Sequence, residues 1–312
     1  MSSRAATLSA PQRLGRWRER LSPYLFIAPF FVIFGVFGVF PFFYNVVVSF
    51  RHWQLDDPAG DGWTGLENYK YALQDSAFWN SLYNTFGIYL QAGIPQLVLA
   101  LLLAGVLNRS LRAKTFFRVG VLLPYITPLA ASTLVFGAVF AKSEGGIANY
   151  ALSFLGIDPL DWRADRLTAW FAIAVMVNWK WVGYNAIIYL AAMQSVSNDV
   201  YEAATLDGAG PWQQFWRLTV PLIRPAILFT VILNTIGQLQ LFTEPLLFDT
   251  NVAAATGGFD GQFQTVALLI YTTGWKDLDL GLAAAMAVLL FLLVVLLSGV
   301  NALLTNRIGG RR

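Results

Sequence analysis

The sequence predicts an all-α membrane protein with six transmembrane helices, and three observations carry that expectation. Of the 312 residues 56% are hydrophobic and only 12% charged, against about 25% charged in a typical soluble chain, and mean hydropathy is +0.55. The apolar excess has to face lipid. Six long runs are nearly free of charge, and the basic residues gather on alternate connections between them.

The runs are Tyr24 to Phe50, Ser76 to Asn108, Val119 to Ala141, Leu167 to Asn198 broken by Lys180, Pro225 to Phe248 broken by Glu244, and Leu280 to Asn306. Each exceeds the ~20 residues that cross a ~30 Å hydrocarbon core at 1.5 Å per residue. Backbone groups in lipid have to be paired within their own segment, so helix is the expected form. Helices are predicted near 25–49, 84–107, 118–140, 168–193, 226–248 and 280–304. The first run follows Arg13, Arg16, Arg18 and Arg20, as a signal peptide would, but its 27 uncharged residues exceed the ~7–15 of a signal's apolar region. It is expected to stay as a helix, irregular near Pro29 and Pro41. Basic residues near span ends are retained in the cytoplasm. With the N-terminus inside, 14 Lys and Arg fall on the inner side and six on the outer, which puts both termini in the cytoplasm. The expected organisation is a basic N-terminal segment (1–23), a six-helix domain (24–306) carrying an inner loop at 195–224, and a basic tail (307–312).

Composition also excludes chemistry. The chain has no Cys and one His, His52, so thiol chemistry, disulfides, multi-His zinc sites and Ser/His/Asp triads are set aside. None of its five lysines follows a Gly, so there is no phosphate-cradling G-x-x-x-x-G-K-[ST] loop. A pI near 9.1 with a net charge of only +3, spread along membrane flanks, does not suggest nucleic acid as a partner. The stretch Gly60-Asp61-Gly62-Trp63-Thr64-Gly65 fits G-x-G-x-x-G without the strand and helix that would give it meaning.

The loop between the fourth and fifth runs is the most informative segment. Asp199 with Glu202 three residues later reads as a capped helix start, and Gly208 as its left-handed stop. A second helix is expected to begin at Pro211 and to end before Pro221. Trp212, Phe215 and Trp216, with Arg217 and Arg224 nearby, suit a helix lying among lipid headgroups. Ala203 and Ala204 form a small, smooth face, which suits close approach by another protein.

Glu202-Ala203-Ala204, then Gly208, then Leu218-x-Val220-Pro221 resembles the EAA loop of permease subunits in bacterial binding-protein-dependent ATP-binding-cassette importers. The resemblance extends through Pro23-Tyr24-Leu25-Phe26-Ile27-Ala28-Pro29, Leu66-Glu67-Asn68-Tyr69, Ser81-Leu82-Tyr83-Asn84-Thr85 and Leu123-Pro124. It is nearer the F-type than the G-type permease of the maltose-transporter branch, which takes up carbohydrate. The resemblance implies a type I importer permease fold in the bacterial plasma membrane and no catalysis by this chain. It also implies a heterodimer with a second permease, two ATPase subunits that use ATP and Mg, and an extracellular or periplasmic solute-binding protein. Glu202, Ala203, Ala204, Asp207, Gly208 and Pro221 would then couple to the ATPases.

Polar residues within the spans are the candidates for a translocation path. Lys180 lies mid-span, at an insertion cost of ~2.5–3.5 kcal/mol, and is expected to face the bundle interior. Glu244 differs from it by ~12 Å of expected depth, so a direct pair competes with partners on a second permease or with carbonyls. Asn234 and Gln238 share a helical face, and Gln240 is turned ~200° from Gln238, so a continuous helix cannot aim all three at one cavity. Amides with an aromatic ring such as Phe242 suit a neutral polyol, or the amides bond neighbouring helices. By the resemblance, the family's sugar site points to the fifth run and to Trp179 and Tyr184. The family's usual Asn positions fall on Gly237 and Gln240. Thr250, Gly257 and Gly258 resemble a family stretch that meets the solute-binding protein, or they are a flexible connector. Two other readings remain: import of a polyol phosphate such as glycerol phosphate, and an ion-coupled secondary transporter working through Lys180 and Glu244.

Overall fold

The computed structural model describes residues 10–57, 62–109, 112–143, 145–248 and 256–309. α1 (Ala10–Phe34) runs through a π-helical turn (Gly35–Val39) into α2 (Phe40–Val48). Pro29 leaves α1 unbroken, and the expected irregularity falls just ahead of Pro41, whose missing N–H and ring disturb the preceding turn. A two-residue ribbon follows, β1 (Arg51–His52) paired antiparallel with β2 (Gly62–Trp63). α3 (Glu67–Gln74) leads into α4 (Ser76–Leu107), which begins eight residues before the expected start because Asp75 caps it, accepting from the Ala77 N–H at 2.9 Å.

The third run is not one helix. It divides into α5 (Lys114–Ile126) and α6 (Leu129–Val139), bent by 92°. Thr127 precedes Pro128, and the residue before a proline is pushed out of the helical region; here Thr127 is extended, with ψ 130°. α7 (Ile147–Ser153) is a short outer helix, and α8 (Arg166–Gln194) is capped by Asp165, which accepts from the Leu167 and Thr168 N–H groups. The inner loop holds α9 (Asn198–Leu206), α10 (Pro211–Gln214), a π-helical turn (Phe215–Thr219) and α11 (Val220–Leu222).

After a 69° bend the chain enters α12 (Arg224–Leu239). This helix stops nine residues short of the expected 248; α13 (Thr243–Phe248) is separate. α14 (Val266–Trp275), which sequence reasoning left within a loop, and α15 (Leu280–Gly309) complete the chain. Among the described residues four helical stretches are long and apolar enough to cross a membrane, and up to six are if each bent pair is one span.

The core is centred on α4 against α8. In a bilayer the lipid tails are as apolar as leucine, so helices associate through close packing and interhelical hydrogen bonds, which small residues permit. Gly87 lies under the Trp170 ring, and Ala92, Ala100, Ala104 and Ala186 are fully buried. Ile88 and Ile173 fill the outer half of this seam, Tyr189 and Met193 the inner half. α14 and α15 pack on its flank through Leu239, Val266 and Met286. At Gly183 the α5 backbone comes so close that a Cβ would strike the Val121 carbonyl, whereas Gly120 on α5 has open space.

Gly183→Ala should therefore overpack the α5–α8 contact by about 1–3 kcal/mol and lower the unfolding temperature of the detergent-solubilised protein, while Gly120→Ala leaves it unchanged. Equal stability of the two variants would contradict this packing.

Candidate functional site

α4, α5, α8 and the end of α12 enclose a cavity of about 500 Å³, within the ~300–1,000 Å³ of small-molecule sites. The sequence-predicted residues Lys180, Tyr184, Asn234, Gln238, Gln240, Phe242 and Glu244 all line it. That three amides share one cavity corrects the helical-wheel expectation, which assumed an unbroken fifth helix. α12 ends at Leu239, and Gln240 leaves the helical path at φ −102° and ψ 17°. The Leu241 carbonyl has no helical donor, because the residue four places on is Pro245, which lacks an N–H; it accepts a hydrogen bond from Thr265 Oγ1 at 2.6 Å. The turn then delivers Phe242 and Glu244 to the same space.

Trp179 is not part of this cavity. It lies on a separate groove with Leu99 and Pro124, its ring edge-on to Phe136 at 5.4 Å. Lys180 and Glu244 face one cavity, but no salt bridge joins them.

The cavity has two characters. Its polar wall is made of amides. Gln238 Nε2 donates to Gln96 Oε1 at 2.9 Å, while Gln238 Oε1 and both amide atoms of Asn234 are buried without a partner. An unpaired buried amide costs about 1–3 kcal/mol, so these groups stand ready for a ligand that can donate and accept. The other wall is aromatic. Tyr125 stacks on Tyr184 at 4.7 Å, and Trp181 meets both rings edge-on at 5.3 and 5.8 Å.

Sequence reasoning missed Gln96, Tyr125, Trp181 and Asn185. Gln96 was within reach, being as unusual in its apolar run as the amides of the fifth. Tyr125 was not, since only the bend after Ile126 and the packing of α5 on α8 settle its position.

The second constellation is the helix pair of the inner loop. Ser197, not Asp199, caps α9, its side chain accepting from the Asp199 N–H at 3.2 Å. Gly208, at φ +82°, ends the helix. The Gly208 N–H donates to the Thr205 carbonyl and the Ala209 N–H to the Ala204 carbonyl, at 3.0 and 2.9 Å, the paired bonds of a left-handed helix stop. The second helix passes Pro221 and ends at Leu222, because the widened turn at Phe215–Thr219 and the start of α11 absorb the missing N–H. Two bonds brace the pair: Tyr201 to Thr219 between hydroxyls at 3.1 Å, and Gln214 Nε2 to Thr205 Oγ1 at 3.0 Å. Glu202, Ala203, Asp207, Gly208 and Pro221 are exposed, and Ala204 is half-buried.

Residues 256–265, ahead of α14, are tied down. Gly257 and Gly258, at φ +82° and +98°, press against Gln264 and Gln262. Asn84 Nδ2 donates to the Gly261 and Gln264 carbonyls, Gln262 Nε2 to the Arg163 carbonyl, and Arg163 Nε to the Phe248 carbonyl. Thr250 lies outside the described residues.

The sequence model of one family, described as the binding-protein-dependent transport system inner membrane component, matches residues 96–310. The chain belongs to this family. The match takes in both the cavity and the helix pair. Curated relatives span nearly their full length against this permease. The lactose transport system permease protein LacF of Rhizobium radiobacter is 34% identical over 284 residues, 88% of this chain and 91% of that protein. The arabinooligosaccharides permease AraP of Halalkalibacterium halodurans is 30% identical over 289 residues, 92% and 89% of the two chains. Among solved structures, a bacterial alginate ABC transporter crystallised with its alginate-pentasaccharide-bound periplasmic protein contains a chain that superposes with a TM-score of 0.74. It is 21% identical over 95% of this chain and 98% of its own, a likeness of fold.

Gln96→Leu should leave the Gln238 amide unpaired and cost about 1–3 kcal/mol of stability. The double variant with Gln238→Leu should recover part of that loss, which thermal unfolding of both proteins measures. Simple additivity would disprove the pairing.

Proposed function

We propose that this permease is the transmembrane subunit of an ATP-driven importer for a sugar, a disaccharide or oligosaccharide. It crosses the bacterial plasma membrane six times with both termini in the cytoplasm, as the basic residues of its inner loops favour. A second, different permease completes the path, a solute-binding protein delivers the sugar from outside, and two ATPase subunits use ATP and Mg. The chain itself needs no cofactor.

The observation that carries this reading is the buried, unpartnered amide of Asn234 in a cavity with an aromatic wall. Relatives named for lactose and arabinooligosaccharides add support. Hydroxyls donate and accept, as amides do, so Asn234, Gln238 and Gln240 bond a sugar without needing charge. Tyr184 and Phe242 cover its apolar ring faces. α9 is the handle: the ATPases grip the face around Glu202, Ala203 and Ala204, and the braces to the second helix pass their closure on to α12. Asp207, Gly208 and Pro221 keep the two helices at their angle.

A second reading, import of a polyol phosphate, draws on Lys180 in the cavity and on the sn-glycerol-3-phosphate permease UgpA of Salmonella choleraesuis, 31% identical over 292 residues. Glu244 beside the same cavity favours the neutral ligand. Uptake of labelled neutral sugar and of sugar phosphate by the reconstituted complex separates the two. Uptake driven by an ion gradient without ATP would overturn both.

Asn234→Leu should reduce sugar uptake about 10- to 100-fold, the loss of one or two hydrogen bonds at ~1.4 kcal/mol per tenfold. Gly208→Asp forces a side chain into the left-handed region at about 1–2 kcal/mol and should abolish ATP-coupled uptake while the protein stays in the membrane. Normal transport by the Gly208 variant would remove this loop from the mechanism.

A further inference from the structure

The second helix of the inner loop carries more than bracing residues, and four observations converge on it. Its 12 residues, Pro211 to Leu222, are set at 69° to α12. At ~18 Å they are too short to cross a bilayer, so they leave the spanning direction and run across it. Their depth is fixed by Phe215, whose ring covers Gly105, two residues before α4 ends at Leu107; a Cβ there would meet the ring at 2.6 Å. The helix therefore lies level with the last turn of a spanning helix.

At that level Trp212 is 67% exposed and Trp216 40% exposed, with ring centroids 5.6 Å apart. Trp favours the layer where one end of the indole is apolar and the other wet. Charge agrees. Residues 211–224 contain Arg217 and Arg224 and no acid, and residues 108–118 contain Arg109, Arg112, Lys114 and Arg118 and no acid. The acidic side chains of the loop, Asp199, Glu202 and Asp207, are on or beside α9.

We infer that the Pro211–Leu222 helix is a lipid anchor, with Trp212 and Trp216 seated in the headgroup layer of an anionic leaflet beside the basic ends of α4 and α5. The inner loop then has two ends of different kind. The tryptophan helix is held at the membrane surface, and α9 projects from it into water. This placement stands whether or not ATPases grip α9.

The absence of cysteine makes the test direct. Trp212→Cys and Trp216→Cys, made one at a time so that the other ring remains, and Asp199→Cys as the aqueous control, each carry a bimane label. The full complex is reconstituted in phosphatidylglycerol and phosphatidylcholine vesicles. Labels at 212 and 216 should lose most of their emission when the lipid is brominated near the headgroup and resist iodide. The label at 199 should respond to iodide alone. Lowering the phosphatidylglycerol fraction should weaken bromolipid quenching at 216, and Arg217→Gln should blunt that dependence. Iodide quenching at 212 and 216 equal to that at 199 would overturn the anchor. So would protection from both quenchers that appears only when the ATPases are present, since that assigns the tryptophans to a protein surface.

Discussion

One captured carbonyl shapes the cavity of this molecule. In a helix running on past Leu239 the Leu241 carbonyl would meet Pro245, which has no N–H to offer and whose ring crowds that carbonyl, and in a medium with little water an unpaired carbonyl is costly. Thr265 Oγ1 meets it at 2.6 Å. The Val266 N–H in turn donates to Thr85 Oγ1 on α4, at 3.0 Å. These two bonds hold the break open against α4 and set the start of α14. They also aim Gln240, Phe242 and Glu244 into the space that Asn234 and Gln238 already face. An unbroken fifth helix would have turned Gln240 away.

The cavity amides are unequally satisfied. Gln238 spends its donor on Gln96, whereas Asn234 has no protein partner. The first bond stitches α12 to α4. The second amide stays unpaired inside the cavity, at a cost in stability. Lys180 and Glu244 place one basic and one acidic side chain around the same space.

On the inner side the economy differs. α9 exposes small and acidic side chains, while the following helix exposes aromatic and basic ones. Gly208 permits the turn between them, and the bonds through Tyr201 and Gln214 make the two move together. These braces lie between α9 and the bent entry to α12.

Much of this was legible in the residues themselves. Long uncharged runs located the membrane helices, because the bilayer thickness fixes their length. Gly208 announced its left-handed turn, because no other residue type adopts that backbone so cheaply. The EAA segment carried the family, because its spacing is local. What needed the tertiary structure were features set by partners distant in sequence: the capture of the Leu241 carbonyl by Thr265; the assembly of Gln96, Tyr125 and Asn234 into one cavity; the removal of Trp179 to another face; and α14, too short to read as a span. Periodicity describes a helix that continues; Pro245 in the fifth run interrupts one, and only the tertiary structure decides which distant group takes the orphaned carbonyl.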